Sequence, residues 1–170
     1  MWIPFRMTPS IQIPPRIYLL RHAKSGWAEP GGRDFDRSLS DAGFAEAEIL
    51  AETAADKGYR PDLVISSTAK RCRQTAEAIN RAFSGLVEFR YVDALYNAPA
   101  EAYLEIVSST RGIEALMLVG HNPAVEEVFA RLCGNDVMAR TVPEGYPTSG
   151  LAVIDAVSEE TFALRDFLVG

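Results

Sequence analysis

Short stretches rich in aliphatic and β-branched residues punctuate this chain, and none is long enough to be a buried helix. They are IYLLR (17–21), DLVIS (62–66), VEFRYV (87–92), ALMLVG (115–120), LAVIDA (151–156) and FALRDFL (162–168). Stretches of this length, bounded by Gly, Pro or polar clusters, read as strands. Between them lie segments with apolar residues at helical spacing. Ser40 can cap a helix over 41–57, in which Phe44, Ala47, Leu50, Ala51 and Ala54 share a face and which Gly58 ends. Residues 69–83 form a second helix with Ala76, Ile79 and Phe83 on one side, and 100–107 a short third. Pro123 opens a fourth that closes at Gly134. The last two stretches have no helix between them and predict a hairpin at a sheet edge. This alternation predicts an α/β fold: a three-layer α/β/α sandwich whose central sheet is mostly parallel with an antiparallel edge. The remaining polar segments, 23–39 and 135–148, read as loops.

Length and composition narrow the rest. A chain of 170 residues, 48% hydrophobic and 24% charged, suits one soluble domain with a real core. The four prolines of residues 1–15 predict an extended lead-in, neither helix nor signal peptide, with Met7 as an alternative start. Residues 16–170 are then a single domain. A net charge of -6 argues against a nucleic-acid surface, and no apolar run approaches a membrane span. Cys72 and Cys133 have no CxxC spacing and suit a reducing, cytoplasmic setting. A cysteine-dependent phosphatase would need Arg six positions after its nucleophile; those positions hold Ala78 and Ala139.

The chemistry gathers at strand exits. Ligands of open parallel sheets sit outside the carboxyl ends of the strands. There the first strand delivers Arg21–His22, the second Ser66–Ser67–Thr68 and then Arg71, and the fourth Gly120–His121–Asn122–Pro123. These are the only two histidines in the chain. Two arginine forks, two histidines and two helix N-termini on one edge make a pocket for a phosphate-type anion. No GxxxxGK[ST] loop is present, and the pattern offers no set of metal ligands, so neither a metal nor another cofactor is expected.

IYLLRHAKS (17–25), SSTAKRCRQTAEAI (66–79) and LVGHNP (118–123) resemble the motifs of the histidine phosphatase superfamily, with its phosphoglycerate-mutase-like fold. Short length and DFDRSLS (34–40) most resemble its SixA-type phosphohistidine phosphatase branch. The resemblance implies that His22 is a nucleophile that becomes a transient phosphohistidine, and that Arg21, Arg71 and His121 form the phosphate pocket. His121 would carry or share a proton when phosphate is bound. The chain departs from many members after the third strand. Leu95–Tyr96–Asn97 puts Asn97 where a Glu proton donor is usual. Asp34 best matches the loop carboxylate that serves instead, with Asp36 next. Ser25 and Asn122 are further candidate contacts to substrate, beside Lys24. Trp27, in the same loop as Ser25, is expected to pack against the domain. Short connections leave no lid, which favours phosphohistidine on another protein over an enclosed metabolite. The alternatives are a broad phosphomonoesterase on the same chemistry and a phosphate- or phosphoprotein-binding module without turnover.

Overall fold

The computed structural model describes residues 11–170, so most of the expected lead-in, with Met7, lies outside the described residues. Its last part is not free: Ile13 and Pro14 are buried. The elements run β1 (Arg16–Arg21), α1 (Asp41–Asp56), β2 (Leu63–Ser67), α2 (Lys70–Ala82), β3 (Glu88–Val92), α3 (Ala100–Ser109), β4 (Ala115–Gly120), α4 (Ala124–Cys133), α5 (Asn135–Thr141), β5 (Gly150–Ala156) and β6 (Phe162–Val169). They build one six-stranded sheet ordered β3-β2-β4-β1-β5-β6. The first four strands in that order are parallel, and β5 and β6 close one edge as an antiparallel hairpin.

Period-two alternation explains the layers, because successive strand residues face opposite sides. Tyr18 and Leu20 of β1 join Ala47, Leu50, Ala51 and Ala54 of α1 and Ala76 and Ile79 of α2 in one core. Ile17 and Leu19 face the other way, onto Tyr103 of α3, Val125 and Phe129 of α4, and Tyr146. The sandwich is therefore α1/α2, sheet, α3/α4/α5. The chain leaves β1 for one helical layer and β4 for the other, although the two strands are neighbours. A crevice opens where they diverge, at their carboxyl ends. The register pairs Arg21 with Gly120, so His22 and His121 emerge side by side.

Three expectations change. Residues 135–148 are not all loop, because Asn135–Thr141 form α5. Its two turns carry only Val137 and Met138 as large apolar residues, too few to display a period. Phe44 is 39% exposed, and the inward stripe of α1 starts at Gly43 instead, where a side chain would strike the Lys24 backbone. Trp27 is 96% exposed rather than packed. The loop is tied down on either side of Gly26 without the indole, by the Ser25–Leu39 bridge and by Arg37 Nε on the Gly26 carbonyl at 3.0 Å.

Gly120 ends β4 because its neighbour fills the space of a side chain. An added Cβ would lie 2.6 Å from Cε1 and 2.7 Å from Cζ of fully buried Tyr103, whose hydroxyl accepts the His121 N–H at 3.1 Å. Gly120→Ala is expected to destabilise the protein by about 2–3 kcal/mol, the usual cost of overpacking. A thermal melt should show this as a drop in Tm of roughly 5–10 °C. An unchanged Tm would show that Tyr103 can retreat freely.

Candidate active site

The exit of β1 is pinned before any ligand arrives. The His22 backbone N–H donates to Gly120 O at 3.1 Å, and the His22 carbonyl accepts from Ser149 N at 3.2 Å. The ring is held too: Nδ1 lies 2.6 Å from Ala23 O. A carbonyl only accepts, so Nδ1 carries the hydrogen and Nε2 keeps its lone pair. The residue is buried, and burial pushes the imidazole pKa down to about 3, with the cationic neighbourhood of His121, Arg71 and Arg21 adding to the effect. The Ala23 carbonyl opposes this without reversing it. His22 is thus a neutral imidazole with a free Nε2 at neutral pH, the state a nucleophile needs.

His121 follows β4 in the same manner, and the two imidazole centroids are 5.4 Å apart. Its Nε2 is 2.9 Å from Ser67 Oγ and 3.4 Å from Cys72 Sγ. Burial, and then Arg71, lower its pKa to about 4. An arriving phosphoryl dianion would act in the opposite sense and favour the protonated ring.

Both expected guanidiniums, Arg21 and Arg71, line the same cavity. Arg21 donates from Nη1 to Tyr146 O at 2.8 Å, while its buried Nε has no partner among the described residues. A buried donor without an acceptor is costly, and an anion in the cavity would satisfy it. Arg71 lies in the first turn of α2 with its side chain only 8% exposed. Thr75, one turn on, accepts from the Ala23 N–H at 3.0 Å and donates to Arg71 O at 2.8 Å, locking α2 to the His22 loop.

These four residues line one cavity of about 450 Å³, joined by Ser25 and by a residue that sequence reasoning did not select, Arg37. Arg37 Nη2 donates to Ser25 Oγ at 2.8 Å, so Ser25 is in the cavity wall with its hydroxyl engaged. The signal for Arg37 was its place in DFDRSLS, but a lone loop arginine is ordinarily a solvated one. Asn122 also lines the cavity. Its amide is committed to backbone: Nδ2 to Tyr146 O at 3.2 Å, and Oδ1 from Glu126 N at 3.2 Å. Asn97, at the position of the usual Glu, forms part of the rim with Ala98 and Pro123.

Asp34 lies beside this wall rather than in it. Its carboxylate accepts from Tyr96 Oη at 2.8 Å, Arg71 Nη2 at 3.0 Å and Arg37 Nη1 at 3.0 Å. The Tyr96 hydrogen bond, then Arg37 and Arg71, hold its pKa well below the usual carboxylate range. Asp36 turns to solvent and pairs with Arg33 at 3.0 Å. Lys24 is exposed.

Comparison with known proteins identifies the family and the fold. Residues 17–98 match the histidine phosphatase superfamily (branch 1). The chain is 52% identical to the crystal structure of a SixA protein from Agrobacterium tumefaciens, with a TM-score of 0.88 over 92% of this chain and 99% of that one. A protein histidine phosphatase SixA solved with tungstate shares the fold at 18% identity, with a TM-score of 0.72 over 91% and 96% of the two chains. An uncharacterised Mycobacterium tuberculosis protein is 36% identical over 141 residues, 79% of this chain and 85% of that one. The match begins at Ile17, in the strand that ends at Arg21 and leads into His22, and together with the 52% identity to the Agrobacterium SixA protein over 99% of its length it shows that this chain belongs to the histidine phosphatase superfamily.

Proposed function

We propose that this protein is a phosphatase that passes the phosphoryl group through His22 and acts on phosphohistidine carried by another protein. The observation that carries the choice of substrate is the state of the carboxylates. Asp34 is held ionised by Tyr96, Arg37 and Arg71, and Asn97 occupies the usual acid position. A group that leaves easily needs no strong proton donor. An imidazole leaving from a P–N bond is such a group, and an alkoxide is not.

In the first step His22 Nε2 attacks phosphorus. The P–N bond to the substrate breaks, and its electron pair stays on the departing imidazole, whose other ring nitrogen already carries a proton taken from solvent, so that the ring leaves neutral without a donor in the site. In the second step a water oxygen attacks phosphorus and the P–Nε2 bond breaks. Orthophosphate leaves, the water proton passes to phosphate or solvent, and Nε2 recovers its lone pair. Both transition states spread charge over the equatorial oxygens, which Arg21, Arg71 and protonated His121 would stabilise. The name of the Agrobacterium relative and the tungstate, a tetrahedral oxyanion, in the other SixA structure support this reading. Among the described residues no helix is long and apolar enough to cross a membrane. The two thiols are unpaired, in keeping with a cytoplasmic setting.

The test compares a phosphohistidine peptide with an alkyl phosphate. The expected kcat/KM ratio is about 10³ in favour of the peptide, the typical worth of a missing proton donor. Efficient cleavage of a sugar phosphate with no action on phosphohistidine would overturn the assignment. It would favour the small-molecule phosphomonoesterase, for which the cavity is large enough.

A further inference from the structure

Asp34 is the obvious proton donor by position in the chain, but its surroundings fit a different task. It lies in the single 3₁₀ turn Asp34–Asp36 and gathers side chains from separate parts of the fold. Its carbonyl accepts from Arg71 Nη1 at 2.8 Å while Oδ2 accepts from Arg71 Nη2 at 3.0 Å, so one residue holds both ends of that fork. Oδ1 accepts from Arg37 Nη1 at 3.0 Å. Arg37 is also held by the Gly26 carbonyl through Nε and by Ser25 through Nη2, so each of its nitrogens has a partner. Tyr96 donates to Oδ2 at 2.8 Å, and its ring stands edge-on to His121 with centroids 5.7 Å apart. Arg71, Arg37 and His121 line the cavity, whereas Asp34 does not.

We propose that Asp34 is a positioning residue. As a permanent carboxylate it locks Arg71 and Arg37 into a double guanidinium clamp facing the phosphoryl position, with Tyr96 fixing Asp34 in turn. Pre-oriented forks reorganise little as charge develops, which is how such a carboxylate aids catalysis without touching substrate. Arg37 becomes the third guanidinium of the pocket. The proposal rests on the phosphatase reading but not on phosphohistidine as the substrate.

A positioning role and a proton-donor role predict effects of opposite kind. Removing a negative charge beside an anion pocket should by itself tighten anion binding; releasing the two forks should weaken it. Tungstate affinity and kcat/KM on a series of aryl phosphates with phenols of different pKa are therefore measured for wild type, Asp34→Asn and Asp34→Ala. The half-exposed position of Asp34 favours folded variants. Both are expected to bind tungstate roughly ten-fold more weakly, the worth of one charge-assisted hydrogen bond. Their kcat/KM should fall by a similar factor at every leaving group, leaving the slope against phenol pKa unchanged. Tyr96→Phe should shift both quantities in the same direction by about two- to three-fold. Unchanged or tighter tungstate binding, or a loss that grows with leaving-group pKa, would overturn the proposal. A wild-type protein that neither binds tungstate nor cleaves any aryl phosphate would bring down the phosphatase reading, and the proposal with it, before any variant is compared.

Discussion

Replacing His22 with alanine is expected to lower kcat by at least about 10⁴ and to abolish the acid-labile phosphoenzyme formed with a labelled phosphodonor. The expectation rests on the lack of a substitute. Ser25 Oγ is engaged by Arg37, and His121 Nε2 by Ser67. Circular dichroism should show the variant folded, since one truncated core side chain removes only part of a typical stability. Persistence of label on the His22→Ala protein would reject His22 as the phosphoryl carrier. Turnover without label in the wild type would reject the covalent route.

The pH dependence follows from the same ring. Its pKa is lowered to about 3, so the nucleophile stays neutral as pH falls from 7 to 5. With a substrate whose own ionisation is constant in that range, kcat/KM should show no acid limb near the ordinary histidine value. Stability, unlike rate, does change in this range. Both histidines bind protons more readily unfolded than folded, so stability declines as pH falls below about 6.5, down to about 4 for His121 and about 3 for His22.

Arg71→Ala should cost about 10³ in kcat/KM, comparable to losing a preorganised donor from an oxyanion site. Arg71 contributes a buried fork whose donors are already aligned by Asp34. Arg71→Lys should recover little, because an ammonium is a point charge that cannot reproduce two parallel donors. Tungstate titration separates binding from chemistry, with Kd expected to rise along with the loss of rate. Near-normal rates in Arg71→Lys would mean that charge alone is needed there.

Much of the fold was legible because its signals are local. The apolar run of ALMLVG spans the observed β4 with the same bounds, Ala115–Gly120. The hairpin of β5 and β6 followed from two adjacent strand patterns with no helix between them. Where the signal was weak the reading failed: α5 is too short to show a period, and Trp27 finds nothing to pack on among the described residues. The core of the site was legible for a related reason. Strand exits are readable, and parallel strands bring their exits to one edge, so Arg21, His22, Arg71 and His121 could be grouped without coordinates.

Sequence by itself therefore determined the layering of the sandwich and the four residues at its carboxyl edge, since both depend on periodicity and chain order. The tertiary structure decided the states of those residues. It supplied the Ala23 carbonyl that leaves Nε2 of His22 free, a choice set by a backbone angle rather than a residue type. It also brought Asp34 to Arg71, 37 residues on, and to Tyr96, 62 residues on. Whether a carboxylate donates a proton or anchors guanidiniums depends on the donors within 3 Å of it, and those are chosen by packing across the fold.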